Sequence, residues 1–248
     1  EKTSNFKIKN LAMAIKATKL CGLKDKLIYK SIKKIKDVNG RLELVRKYPN
    51  GVKVFVDDAH TPDAMLKTLK FLEETNHGKN ISIVFGCGGE RDQKKRPLMA
   101  KLANKYCKKI YITDDNPRNE NPSKIRHELL KYIQKNKVFN IGNRALAIKK
   151  AIKNAHHQEL ILVAGKGHEE YQIYKKKIIK FSDKNIIKKV KIKSKNLNSK
   201  EQNFFQNRLA LTHILEKKNW LKFNGLSIDT RTMQKDNLFL AIKGKKCD

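Results

Sequence analysis

Two carboxylates, an amide and a guanidinium fall within five residues at Asp114-Asp115-Asn116-Pro117-Arg118. Acids hold an ammonium and an arginine fork holds a carboxylate, so this set suits a zwitterion. An Asx turn stiffened by proline accounts for the same string without a ligand. A second loop, Gly86-Cys87-Gly88-Gly89-Glu90-Arg91-Asp92, offers backbone N–H groups that a ligand can approach, with Arg91 as a further carboxylate binder. A flexible turn with a solvated arginine fits there too, and the GxxxxGK[ST] spacing of a phosphate loop is missing. In Gly165-Lys166-Gly167-His168-Glu169-Glu170, Glu169 could take another ammonium. His168 is of the residue type used for proton transfer near neutral pH, although one histidine in a loop is more often a hydrogen-bonded structural residue. No Ser/His/Asp or Cys/His spacing supports nucleophilic catalysis, and Cys87 is the one thiol worth testing.

These loops can act together only if the chain brings them to one place. Residues 10–36 carry helical spacing, with Leu11, Ala14 and Ile15 on one stripe and Ile28, Ile32 and Ile35 on another, broken at Cys21-Gly22. Gly40 opens an extended region that ends in a β-branched strand at 52–56. Thr61 as cap, Pro62 and Asp63 then start a helix. Further strands are expected at 81–85, 110–113, 138–141 and 160–164. Helices should start near Pro97, run to about Lys135, and span 144–155; a hairpin-like stretch at 171–181 and a short helix after Ser182-Asp183 follow. This alternation predicts an α/β fold with a Rossmann-like, mostly parallel sheet flanked by helices. Ligands of such sheets bind beyond the carboxyl ends of the strands, and the polar clusters 57–60, 86–92, 114–118 and 165–169 all follow strands. Their convergence on one edge is the expected site.

Composition adds boundaries. The net charge of +33 admits a basic nucleic-acid-binding module as the alternative function. Only nine of the 57 cations are arginines, however, and the lysines are dispersed, which suits a solvated surface better than specific recognition. A dinucleotide-dependent oxidoreductase fails on the missing GxGxxG after the first strand. Four scattered cysteines suggest neither zinc nor disulfides and point to a reducing cytoplasm, and no apolar run is long enough for a membrane helix.

Taken together, Gly40-Arg41-Leu42-Glu43, Asp57-Asp58-Ala59-His60-Thr61-Pro62-Asp63, the 86–92 loop, Lys95-Arg96-Pro97-Leu98-Met99, the 114–118 loop and Ala164-Gly165-Lys166-Gly167-His168-Glu169 resemble the Mur ligase family in its diaminopimelate-adding branch. The resemblance covers about residues 8–190. It implies that Arg91, Asp115, Asn116, Pro117, Arg118, Gly165 and Glu169 hold meso-diaminopimelate, and that Arg41, Asp57 and His60 face ATP. It further implies ATP and Mg²⁺ as cofactors and UDP-N-acetylmuramoyl-dipeptide as the second substrate, with no nucleic-acid or membrane partner. In that chemistry an acyl phosphate forms on the D-glutamate carboxyl and the amine of diaminopimelate attacks it. Asp58 stands where the family has tyrosine, and Glu90 and Glu170 replace aspartates. No metal site is expected in these residues; the phosphate loop, magnesium ligands and uridine-nucleotide domain are expected before residue 1, leaving this chain inactive alone. Residues 1–39 then form the tail of the ATPase domain, 40–190 the amino-acid-binding domain and 191–206 a linker. Residues 207–248 resemble the start of a second Mur ligase, with Thr230 and Arg231 as its contacts to nucleotide substrate.

Overall fold

The computed structural model describes residues 5–35, 38–75, 78, 80–192, 225–227 and 237–239 of the 248-residue chain. Contacts divide the chain into two units, residues 1–193 and 194–248. In the first unit, α1 (Asn5–Leu20) and α2 (Asp25–Ile32) are separated at Gly22, whose φ of +81° suits a residue without a Cβ. The strands β1 (Glu43–Lys47) and β2 (Lys53–Asp57) pair antiparallel. The single extended region read from the sequence is thus two strands, joined by a turn in which the Gly51 amide donates to the Tyr48 carbonyl. β1 carries charge at three of five positions because it is an edge strand, and it lacks the apolar run that marks a buried one.

Strand and helix then alternate through α3 (Pro62–Thr75), β3 (Ile81–Phe85), α4 (Lys95–Tyr106), β4 (Lys109–Ile112), α5 (Pro122–Leu130), β5 (Val138–Asn140), α6 (Arg144–Lys153) and β6 (Leu160–Ala164). α5 stops at Leu130 rather than near Lys135. The Gln134 amide donates to Asn104 Oδ1 instead of extending the helix ladder, and a single 3₁₀ turn, Lys135–Lys137, leads into β5. A hairpin of β7 (Tyr171–Tyr174) and β8 (Lys177–Lys180) precedes α7 (Asp183–Lys189), which Ser182 caps. In the second unit, β9 (Gly225–Ser227) and β10 (Asn237–Phe239) pair in parallel.

The main sheet has the order β1-β2-β6-β3-β4-β5 and is parallel except for β1. This is the α/β architecture the alternation predicts. Connections from β2 to β3, β4 and β5 run one way, and right-handed crossovers place α3, α4 and α5 on one face. The connection from β5 back to β6 runs the other way, so α6 lies on the opposite face with α7. β6 shows the resulting two-sided core. Leu160, Leu162 and Ala164 pack with Met65, Leu69 and Met99, while Ile161 and Val163 pack with Ile148, Ile152 and Ile187. Each such fully buried Leu, Ile or Met contributes about 1.5–3 kcal/mol. Among the described residues no helix is long and apolar enough to cross a membrane.

Candidate functional site

The parallel strands β2, β3, β4 and β6 end at one edge of the sheet, and the four polar loops continue from those ends. Backbone hydrogen bonds stitch the loops together: Gly165 N to Asp57 O at 3.0 Å, and Gly89 N to Asn116 O at 2.9 Å. Two glycines are required by this closeness. A side chain at Gly89 would collide with the Pro117 carbonyl oxygen. At Gly165, with φ +107°, a Cβ would come within 2.9 Å of Asp115 Oδ2.

The 114–118 loop is clasped by the β7–β8 hairpin. Gln172 Nε2 donates to the carbonyls of Asp114 and Asp115 at 3.1 and 2.9 Å, and Ile173 N donates to Asn116 Oδ1 at 3.1 Å. Arg118 N donates to Ile173 O, and Lys175 N to Arg118 O. Arg118 has φ +50°, a left-handed conformation that this clasp sustains. Asp114 forms an ion pair with Arg126, and it also accepts from the Tyr174 hydroxyl at 3.0 Å. Burial and the Asp114 carboxylate push that hydroxyl's pKa up.

Opposite charges line the remaining space. Asp115 and Asn116 are buried, and Asn116 Nδ2 donates to Glu169 Oε2 at 3.0 Å. Burial acts against ionisation of Glu169. The Lys166 ammonium, the Asn116 amide and the Arg118 guanidinium outweigh it and hold the carboxyl below its ordinary range. Arg118 Nη1 donates to Gly89 O at 2.8 Å and to Asn116 O at 3.3 Å, which aims the guanidinium without neutralising it. Arg91 is exposed, and its side chain lies with that of Arg118 against Gly88. Asp115, Asn116, Pro117, Arg118, Gly165, Glu169 and Arg91 are therefore brought to one edge, with the Arg118 guanidinium acting on the Glu169 carboxylate and the Arg91 side chain beside Gly88. Such a surface takes an ammonium and a carboxylate from one molecule.

The roles of several supporting residues escaped the sequence reading, although Arg96 belongs to one of the strings that carry the resemblance. Arg96, fully buried, bonds Glu120 through both carboxylate oxygens at 2.9 Å and Glu128 at 2.7 Å, and Glu120 accepts from the Glu90 amide. Burial disfavours the Glu120 charge, but the Glu90 amide and Arg96 hold its carboxyl below the usual value. Arg144 is likewise buried, paired with Asp183 through Nε and Nη2 and bonded to the Ala164 carbonyl. Only burial identifies these two; an arginine within a helix otherwise reads as a surface residue.

Arg41, Asp57 and His60 also meet at this edge, but they are largely engaged with one another's neighbours. Arg41 pairs with Asp58 at 2.5 Å, and His60 Nδ1 lies 2.7 Å from the Asp58 carbonyl. Asp57 is buried and accepts from the amides of Leu42 and Ala59. Burial pushes its carboxyl upward against those two donors. The carboxylate thus braces the loop instead of projecting from it. Among the described residues no group of three or more His, Cys, Asp or Glu could hold a metal. Thr230 and Arg231 lie outside the described residues. His168 is exposed. Cys87 is buried and its thiol is pushed up to about 12, mainly by burial, so it is no nucleophile. In the folded chain an alkylating reagent at neutral pH should label exposed Cys21 and spare Cys87 and Cys107; labelling of Cys87 at the rate of Cys21 would contradict this burial.

Residues 40–167 match the family described as Mur ligase, glutamate ligase domain. The chain is 42% identical over 186 residues to the UDP-N-acetylmuramoyl-L-alanyl-D-glutamate–2,6-diaminopimelate ligase of Rickettsia montanensis, covering 75% of this chain and 38% of that protein. Its counterpart in Haemophilus influenzae is 41% identical over 182 residues, or 73% of this chain and 37% of that one. A solved structure of a ligase of that name superposes with TM-score 0.59 at 31% identity, covering 76% of this chain and 39% of that one. The chain thus spans less than two-fifths of the length of these relatives.

Proposed function

Because this chain belongs to the Mur ligase family, we propose that it carries the diaminopimelate-binding site of an ATP-dependent ligase. That enzyme joins meso-2,6-diaminopimelate to UDP-N-acetylmuramoyl-L-alanyl-D-glutamate in peptidoglycan synthesis. One observation carries the reading: at the edge where β3, β4 and β6 end, the Glu169 carboxylate lies within reach of the Arg118 guanidinium and shares the Lys166 ammonium with Asp115, while the Arg91 side chain lies beside Arg118 at Gly88. An amino-acid end of the substrate places its ammonium on the acids and its carboxylate on the arginines. Holding that end fixes the other amine for attack on an acyl phosphate, so these residues contribute by positioning.

ATP and Mg²⁺ are the expected cofactors; the sequence has no phosphate-loop spacing, and the described residues form no metal cluster. Arg41, Asp57 and His60 are proposed as the edge facing the nucleotide, with Asp57 as its brace. In the same reading residues 1–39 are the tail of the ATPase domain, 40–190 the amino-acid-binding domain, 191–206 a linker and 207–248 the start of a second Mur ligase.

The test is calorimetry of the chain with meso-diaminopimelate and with L-lysine, which lacks the second carboxylate. Diaminopimelate should bind more tightly by about tenfold or more, the worth of one charge-assisted pair. Equal affinities would remove the specificity from this site.

A further inference from the structure

Lysine is the commonest cation of this chain, and among the described residues Lys166 is the one that is buried, with a relative exposure of 0%. Glycines at φ +107° and +52° flank it, and they turn the backbone so that its side chain runs beneath the loop. Its Nζ lies 2.8 Å from Glu169 Oε2, 3.0 Å from Asn116 Oδ1 and 3.6 Å from Asp115 Oδ1. The Tyr171 ring closes another side, 5.6 Å from Nζ to the centroid. All three polar neighbours are residues assigned above to the substrate, and they come from two different loops.

We infer that Lys166 is a positioning residue of this amino-acid site, orienting Glu169, Asn116 and Asp115 and offsetting one of the two carboxylate charges on the acidic side of the pocket. The inference rests on the diaminopimelate reading. Asp115 and Glu169 bring two negative charges and Lys166 returns one positive. The other buried cations, Arg144 and Arg96, are neutralised by Asp183 and by Glu120 and Glu128, and the charge of Arg118 is reserved for the carboxylate of the substrate. The acidic side of the pocket therefore matches a single ammonium. Without Lys166, two neighbouring carboxylates would face the pocket, and one of them would hold a proton or a stray cation.

Glu169 reports on this arrangement. The groups facing it are Lys166 in its own loop, Asp115, Asn116 and Arg118 in the loop after β4, and Arg144 of α6. Its carboxyl is held below the ordinary value, so its contribution to binding is present above that value and is lost only as pH falls through the lowered one. Lys166→Met removes the strongest opposing charge and moves the loss to higher pH.

The experiment is calorimetry of the full chain with meso-diaminopimelate across the acid range, using wild type, Lys166→Met, Glu169→Gln and the double variant. Lys166→Met should weaken binding at neutral pH by about ten- to a hundredfold, as expected for lost bonds to a charged group. It should also shift the acid limb upward. Glu169→Gln leaves no net negative charge and weakens binding as well, whereas the double variant restores the count through Asp115 and should bind better than Glu169→Gln alone. Losses that add in the double variant, or an acid limb unmoved by Lys166→Met, would overturn the role of Lys166. If Lys166→Met alone does not fold, the comparison of Glu169→Gln with the double variant still decides. Failure of the wild type to bind diaminopimelate would instead count against the proposed function.

Discussion

Asp183→Ala should destabilise the folded chain by about 3–5 kcal/mol, the cost of stranding one member of a buried ion pair. Asp183 is 1% exposed in its side chain and Arg144 is 0%. The geometry is bidentate, Nε to Oδ1 at 2.8 Å and Nη2 to Oδ2 at 2.7 Å. Removing the carboxylate leaves a guanidinium in the interior with the Ala164 carbonyl as its remaining bonded partner, since Nη1 has none. The pair also joins three termini: the starts of α6 and α7 and the end of β6. Arg144 sits at a helix N-terminus, where the macrodipole disfavours a cation, so Asp183 offsets that penalty as well as desolvation. Domains are stable by about 5–15 kcal/mol in total, which makes the loss easy to read as a fall in the urea midpoint. Asp183→Asn, which keeps hydrogen-bonding capacity, should lose less. Replacing both residues by apolar ones, as in Arg144→Met with Asp183→Leu, should recover most of the stability. A midpoint unchanged by Asp183→Ala would show that the pair is not closed in solution.

Arg118→Ala should weaken diaminopimelate binding by about thirtyfold or more, corresponding to roughly 2 kcal/mol or above for truncating one member of a desolvated charge pair. Arg118 reaches the site from a left-handed backbone position, and its Nη1 bonds to Gly89 and Asn116 carbonyls fix the plane of the guanidinium. A fork fixed in this way meets a carboxylate with two parallel bonds. Arg118→Lys keeps the charge but not the fork, and is expected to recover only a small part of the affinity. Both variants should melt close to wild type, because the clasp on this residue uses its backbone N–H and carbonyl. Wild-type affinity in Arg118→Ala would take the residue out of the site.

The strands at the centre of the sheet were legible because a parallel strand buried on both faces is mostly apolar: Leu160–Ala164 is an apolar run, and Ile81–Phe85 is broken only by Ser82. β1 was not, because an edge strand may carry Glu43, Arg46 and Lys47 and so looks like loop. The four site loops could be found from polar residues placed after strands, but what each side chain does could not. Asp57 and Asp58 are adjacent acids with the same chemistry on paper. One is buried against backbone amides and the other pairs with Arg41. Lys166 is one lysine among dozens until its neighbours are known, and Gln172 lies in a segment whose sequence says only hairpin. Burial and pairing across 50 residues or more are tertiary facts, and local spacing does not encode them.

β6 lies between β2 and β3, yet more than a hundred residues separate it from the start of β2. During synthesis, β3, β4 and β5 can pair as a sheet and β1 can pair with β2, but the inner edges of β2 and β3 stay unpaired until residues 160–164 leave the ribosome. Both edges are apolar and open to other chains for that interval. The strand that ends in the proposed substrate loop is therefore also the one that closes the nascent sheet. Folding of this unit is governed by its longest-range pairing, and a chain stopped before Leu160 presents two adhesive edges in place of a binding site.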